Sequence, residues 1–156
     1  EVRRIIGSCG QVPLFLEDRT AIENLVLPFV VRGEPRMALE AAEAALDATG
    51  LEYLRDRQVQ ELSFQERAAL GVIRAAIGAP AVALIDGVLD LLDHRLRESL
   101  MDFLRARHLD GTAIVIFGGE FTENARKGRR WRMEEGQIFE VDRPTLVTDE
   151  HVEGVA

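Results

Sequence analysis

The tightest constraint on this chain's fold is a short apolar run behind a proline. Pro80-Ala81-Val82-Ala83-Leu84-Ile85 carries no polar side chain and ends on Asp86. Such a run is too short for a buried helix and lacks the alternation of a strand with one wet face. It reads as a fully buried strand of a parallel sheet. Thr112 to Phe117 is a second run of this kind. Between them, Asp93 to Arg107 places Leu96, Leu100, Phe103 and Leu104 on one helical face. Strand, helix, strand in that order implies an α/β fold, a parallel sheet covered by helices.

The chain upstream is mainly helical. Val2 to Cys9 is a β-branched stretch that reads as a strand, and Gln11 to Asp18 reads as a loop containing Pro13. Thr20 stands three residues before Glu23, a capping-box spacing. The helix that follows carries Ile22, Leu25, Val26 and Phe29, with Pro28 expected to break it and Arg32-Gly33 to end it. Glu34 to Thr49 is an Ala-rich helix closed by Gly50. Leu51 to Gln60 is irregular. Ser63 and Glu66 repeat the capping spacing ahead of a helix that stops at Gly78-Ala79-Pro80. Downstream, Phe121 to Lys127 reads as helical. Arg130 to Glu134 and Gln137 to Val141 flank a Glu135-Gly136 hairpin turn, and a polar tail follows Asp142.

Composition narrows the function classes. With 156 residues the chain can bury a real core, and its net charge of −8 disfavours nucleic acid as a partner. The basic cluster Arg126, Lys127, Arg129, Arg130 and Arg132 reads as a solvated turn and strand face. A single cysteine, Cys9, excludes an internal disulfide and fits a cytoplasmic protein. His94, His108 and His151 lack metal-ligand spacing and read as surface residues. No run is long enough to cross a bilayer and no signal peptide opens the chain. Position 1 is not Met, so the chain is expected to be a fragment, a processed chain or a domain of something longer.

The order and spacing of several short stretches resemble the ATP-binding subunit of ABC transporters, closest to the cell-division and lipoprotein-export type. Asp18-Arg19-Thr20-Ala21-Ile22-Glu23-Asn24-Leu25-Val26-Leu27-Pro28 is similar to that family's D-R-T-x-x-E-N-x-x-L-P stretch. Gln11, ending Ile6-Gly7-Ser8-Cys9-Gly10, falls at the Q-loop glutamine. Glu61-Leu62-Ser63-Phe64-Gln65-Glu66 resembles the signature motif, with both of its glycines replaced. Pro80 to Asp86 resembles a Walker B strand, and Leu91-Leu92-Asp93 a D-loop. The resemblance covers residues 4 to 141.

The resemblance implies a partial P-loop NTPase sheet with an inserted helical subdomain at about 20–77. One domain is expected over 1–141, with 142–156 as tail. It implies ATP and Mg²⁺ as cofactors, with Gln11, Ser63, Asp86 and Asp93 at the nucleotide and Asp86 on the metal. Where the family has a catalytic glutamate this chain has Gly87, and at the switch histidine it has Gly119, so no catalytic residue is assigned. No Gly-x-x-x-x-Gly-Lys-Ser/Thr occurs, so the phosphate loop is missing, as is the upstream aromatic that stacks on adenine. Weak or absent hydrolysis is therefore expected.

Expected partners are an integral membrane permease-like subunit and a second ATP-binding subunit, at the cytoplasmic face of the membrane. Phe15, Leu16, Leu27 and Phe29 are the docking candidates. Each site residue also has a structural reading: Gln11 and Asp86 as polar strand ends, Ser63 and Asp93 as helix caps, Glu66 and Arg67 as a solvated helix face. The alternative function is a non-catalytic interaction module, or a decayed fragment, that binds no nucleotide. An active ATPase completed by an upstream P-loop is a third.

Overall fold

The computed structural model describes residues 6–118 and 128–141. Residues 2–5 of the first expected strand, the helix expected at Phe121–Lys127, Gly119 and the tail lie outside them. The chain divides into two compact units, residues 1–120 and 121–156.

In the first unit, strands β1 (Ile6–Cys9), β2 (Val82–Asp86) and β3 (Ala113–Phe117) form a parallel sheet in the order β1-β2-β3. Ile6 pairs with Val82, and Val82 with Ala113, so side chains two residues apart share a face. One face, with Cys9, Ala83 and Ile85, is buried, with Ile114 and Ile116 packed against the core. Helices α3 (Phe64–Ala76) and α4 (His94–Leu109) lie against the strands. The opposite face is open among the described residues. Ile6, Ser8, Val115 and Phe117 are exposed, and Val82 and Leu84 are half-buried. The expectation of two fully buried strands therefore needs correcting: each is covered on one side.

Helices α1 (Ala21–Arg32) and α2 (Ala38–Thr49) pack together, and each also meets one of the other two helices. The capping box of α1 forms as expected: Glu23 N–H donates to Thr20 Oγ1 at 3.3 Å, and Thr20 N–H donates to Glu23 Oε2 at 2.8 Å. Pro28 does not break α1, which runs on to Arg32. An interior proline costs a helix about 3 kcal/mol. Burying Leu25 and Phe29 on this helix returns about 1.5–3 kcal/mol each, so packing wins. The helix expected from Glu34 begins later. Pro35–Met37 is a 3₁₀ turn, because Pro35 disfavours helical backbone at Glu34, which sits at φ −116°. Residues 51–62 are irregular as expected, with 3₁₀ turns at Glu52–Leu54 and Val59–Glu61.

Helix α3 is the central element. Ala68, Ala69, Leu70, Val72, Ile73, Ala75 and Ala76 are all buried on it. It crosses β1 at backbone distance: a Cβ added to Gly7 would fall far inside 3.0 Å of the Ala75 carbonyl oxygen.

In the second unit, β4 (Arg130–Glu134) and β5 (Gln137–Val141) pair antiparallel with Glu134 opposite Gln137. The Glu135-Gly136 turn has φ of 49° and 79°, the doubly left-handed geometry of a tight hairpin.

Gly7→Ala is expected to lower the stability of the first unit by more than about 3 kcal/mol, because the obstacle is backbone and cannot rotate away. Chemical denaturation measures it; a loss under about 1 kcal/mol would mean that α3 sits farther from β1.

Candidate functional site

Parallel sheets bind ligands beyond the carboxyl ends of their strands. At that end, Asp86 closes the central strand and is exposed. Gly87 follows in the left-handed region at φ 63°, with its N–H donating to the Phe117 carbonyl at 2.8 Å. Gln11 comes from the loop after β1 and lies over Gly87. A Cβ built on Gly87 would stand 2.6 Å from Gln11 Nε2 and 3.0 Å from its Cγ. The fold thus assembles Gln11, Asp86 and Gly87 from segments 75 residues apart. Asp90, unnoticed in the sequence, reaches the end of β3: a Cβ on Gly118 would meet its Oδ2 at 2.9 Å. Gly119 lies outside the described residues.

A second cluster sits at the N-terminus of α3. Ser63 N–H donates to Glu66 Oε2 at 2.7 Å, and Glu66 N–H to Ser63 Oγ at 3.3 Å. The Ser63 hydroxyl is thus engaged as a cap, as the structural reading expects. Burial pushes the Glu66 carboxyl up, but bonds from Ser63 and Tyr53 and the charge of Arg57 outweigh it. The group is held below the usual carboxylate range. Gln65 Oε1 accepts the Asp93 N–H at 3.3 Å, while Asp93 Oδ1 caps α4 at Leu96 N, 2.9 Å away. The backbone of Asp93 is thus joined, through Gln65, to the first turn of α3 that Ser63 caps. Phe64, at the first helical position, is 55% exposed.

Oxygen donors such as Asp86 and Gln11 suit Mg²⁺, which binds through one or two carboxylates, waters and substrate phosphates. No group of three or more His, Cys, Asp or Glu converges among the described residues. Asp86 can supply one ligand to an ion that a phosphate also holds. The given sequence holds no Gly-x-x-x-x-Gly-Lys-Ser/Thr, the loop whose backbone amides and lysine cradle a triphosphate.

Several expected surface roles change. Phe29 is buried and belongs to the core, so it offers no docking surface. Phe15 is half-buried, with the Arg74 guanidinium 4.2 Å from its ring centroid. Arg67 is no solvated helix residue: it pairs with Glu17 and donates to the Val59 carbonyl. The exposed apolar side chains of this loop are Val12, Leu14 and Leu16. Cys9 is buried, and burial pushes its thiol up to about 11, against the opposing charge of Arg74. His94 lies beside Glu98, His108 beside the Thr112 carbonyl, and His151 outside the described residues. Of the basic cluster, Arg126 and Lys127 also lie outside. Arg129 stacks on Trp131, and Arg132 pairs with Glu134.

Gly87→Ala should cost about 1–2 kcal/mol, from the left-handed backbone and from displacing Gln11. The cost should be smaller in a Gln11→Ala background. A double-mutant cycle by urea denaturation reads this coupling; additive effects would mean that the two residues do not touch.

No family model matches the chain. Among curated proteins, it is 34% identical over 116 residues to the methionine import ATP-binding protein MetN of Rhodopseudomonas palustris (strain BisB5). That match covers 74% of this chain and 31% of that protein. To MetN of strain BisA53 it is 32% identical, over 75% of this chain and 32% of that protein. To MetN 1 of Burkholderia orbicola (strain AU 1054) it is 34% identical, over 74% and 35%. The chain thus spans about a third of the length of these relatives. Among solved structures, the ATP-binding cassette MJ0796, in a dimeric post-hydrolysis state bound to ADP and Pi, matches with a TM-score of 0.75. It is 23% identical over 88% of this chain and 63% of that one. At that identity the match shows the fold alone: an α/β fold like that of this ATP-binding cassette.

Proposed function

The chain is a homologue of the ATP-binding subunits of ABC transporters, and we propose that it acts as the coupling part of such a subunit with its hydrolytic chemistry degraded. The observation that carries the reading is the end of β2. Asp86 remains able to ligate a metal, while the next residue is a left-handed glycine under the Gln11 side chain. A glycine there has no carboxylate to orient or deprotonate an attacking water. Gly119 likewise has no imidazole. Phe64 stands in the way of any phosphate approaching the first-turn amides of α3, an approach that glycine would permit. By this reading Gln11, Ser63, Asp86 and Asp93 line the nucleotide side, with Asp86 on Mg²⁺, and hydrolysis is weak or absent.

The expected assembly is a pair of ATP-binding subunits under a membrane permease-like subunit. No helix among the described residues is long and apolar enough to cross a membrane. Val12 and Leu14, 75% and 83% exposed, and Leu16 beside them offer apolar contacts to an incoming helix. The second reading, an interaction module without nucleotide, is favoured by the same Gly87 and Phe64 geometry.

Two experiments separate these readings. The chain alone should show no micromolar affinity for Mg·ATP by calorimetry. A chimera carrying the upstream, P-loop-bearing part of a methionine import relative should bind it with little turnover. A chimera that folds but does not bind would sink the nucleotide reading. For the partner surface, Leu14→Asp with Leu16→Asp should release the protein from the membrane fraction of expressing cells while the melting temperature stays within about 2 °C. Retention on membranes would move the docking surface elsewhere.

A further inference from the structure

We propose that Asn24, Arg67 and Arg74 are positioning residues. They fasten the loop 11–18 to α1 and α3 and so hold the Gln11 side chain over Gly87. The loop has no regular structure, yet every residue from 13 to 17 is anchored. Pro13 is buried against α3: a Cβ on Gly71 would stand 2.5 Å from its Cγ. The Leu14 carbonyl accepts from Arg74 Nη2 at 2.5 Å. The Phe15 ring has the Arg74 guanidinium 4.2 Å and the Arg67 guanidinium 6.0 Å from its centroid. Leu16 is held through both backbone groups: its N–H donates to Asn24 Oδ1 at 2.9 Å, and its carbonyl accepts from Asn24 Nδ2 at 3.0 Å. Glu17 forms a two-pronged pair with Arg67, one bond of which is 2.7 Å. The Arg67 hydrogen bond holds the Glu17 carboxyl below the usual range.

This fastening exceeds what a connector needs. A flexible loop of this length could join β1 to α1 at small entropic cost. Asn24 is fully buried and spends its whole amide on the loop and the Thr20 carbonyl. Arg67 and Arg74 come from a helix, 50 and 60 residues downstream of the loop residues they hold. Only Val12 separates the anchored stretch from Gln11, so little slack remains for Gln11 to leave Gly87. Loop, α1 and α3 are therefore tied to one another through these side chains. The meaning of that end as a nucleotide side rests on the proposed function; the fastening does not.

The test is NMR on the ¹⁵N-labelled chain, without nucleotide. In the wild type the Leu16 amide should exchange at least about a hundredfold more slowly than in unstructured peptide, and Asn24→Ala should speed it at least about tenfold. Arg74→Ala should shift the Gly87 amide resonance as Gln11→Ala does. Arg74→Lys, which keeps a cation on Phe15, should restore it. A change in global stability alone would not move the native Gly87 resonance. An unprotected Leu16 amide in the wild type would overturn the proposal. So would an unmoved Gly87 resonance in Arg74→Ala with α3 amides still protected. Failure of the folded P-loop chimera to bind Mg·ATP would overturn only the nucleotide reading.

Discussion

Helix α3 meets the sheet with almost nothing between the two backbones. Gly7 on β1 admits the Ala75 carbonyl, and Gly71 on α3 admits Pro13 and the Cys9 thiol. The small residues on this helix, Ala68, Ala69, Ala75 and Ala76, keep the approach close along its length. Two groups of side chains described above are attached to this helix. The N-terminus of α3 carries Ser63 and, through Gln65, the backbone of Asp93. Its flank carries the two arginines that grip the loop from β1. Dispersion at such short range is steep, so a displacement of a fraction of an ångström is resisted on every side.

The fold was legible where a local pattern had one physical solution. Thr20 with Glu23 and Ser63 with Glu66 are capping boxes because the side chain three residues on can reach back to the cap amide. Val82–Asp86 could be read as a parallel strand from its apolar run alone. Its burial could not, because that depends on which faces other elements cover, and among the described residues one face of the sheet is open. Pro28 was misread because propensity is local and the burial of Leu25 and Phe29 is not. Pro35 carried a usable signal, in the restriction it places on Glu34, that delays the start of α2.

The site was legible as motifs and less so as contacts. Gln11, Asp86 and Gly87 were singled out by their order along the chain, but the packing of Gln11 on Gly87 depends on the loop path. Arg67 and Arg74 looked like ordinary helix residues, since nothing in a single sequence tells which arginine at helical spacing will find a carboxylate or carbonyl 50 to 60 residues away. Asn24 did leave a trace: an amide amid Ile22, Leu25 and Phe29 on a buried face needs partners, and a nearby loop backbone is the natural supply.

Gly87 has an implication for how this sequence can change. Its left-handed backbone and the Gln11 side chain above it make position 87 hostile to any β-carbon. A lone codon change to glutamate would meet both obstacles at once and be selected against for folding before it could be selected for chemistry. Any path to a larger residue there would have to pass first through Gln11 or the loop that carries it. Positions 11 and 87 are therefore expected to be epistatic, each setting which residues the other tolerates.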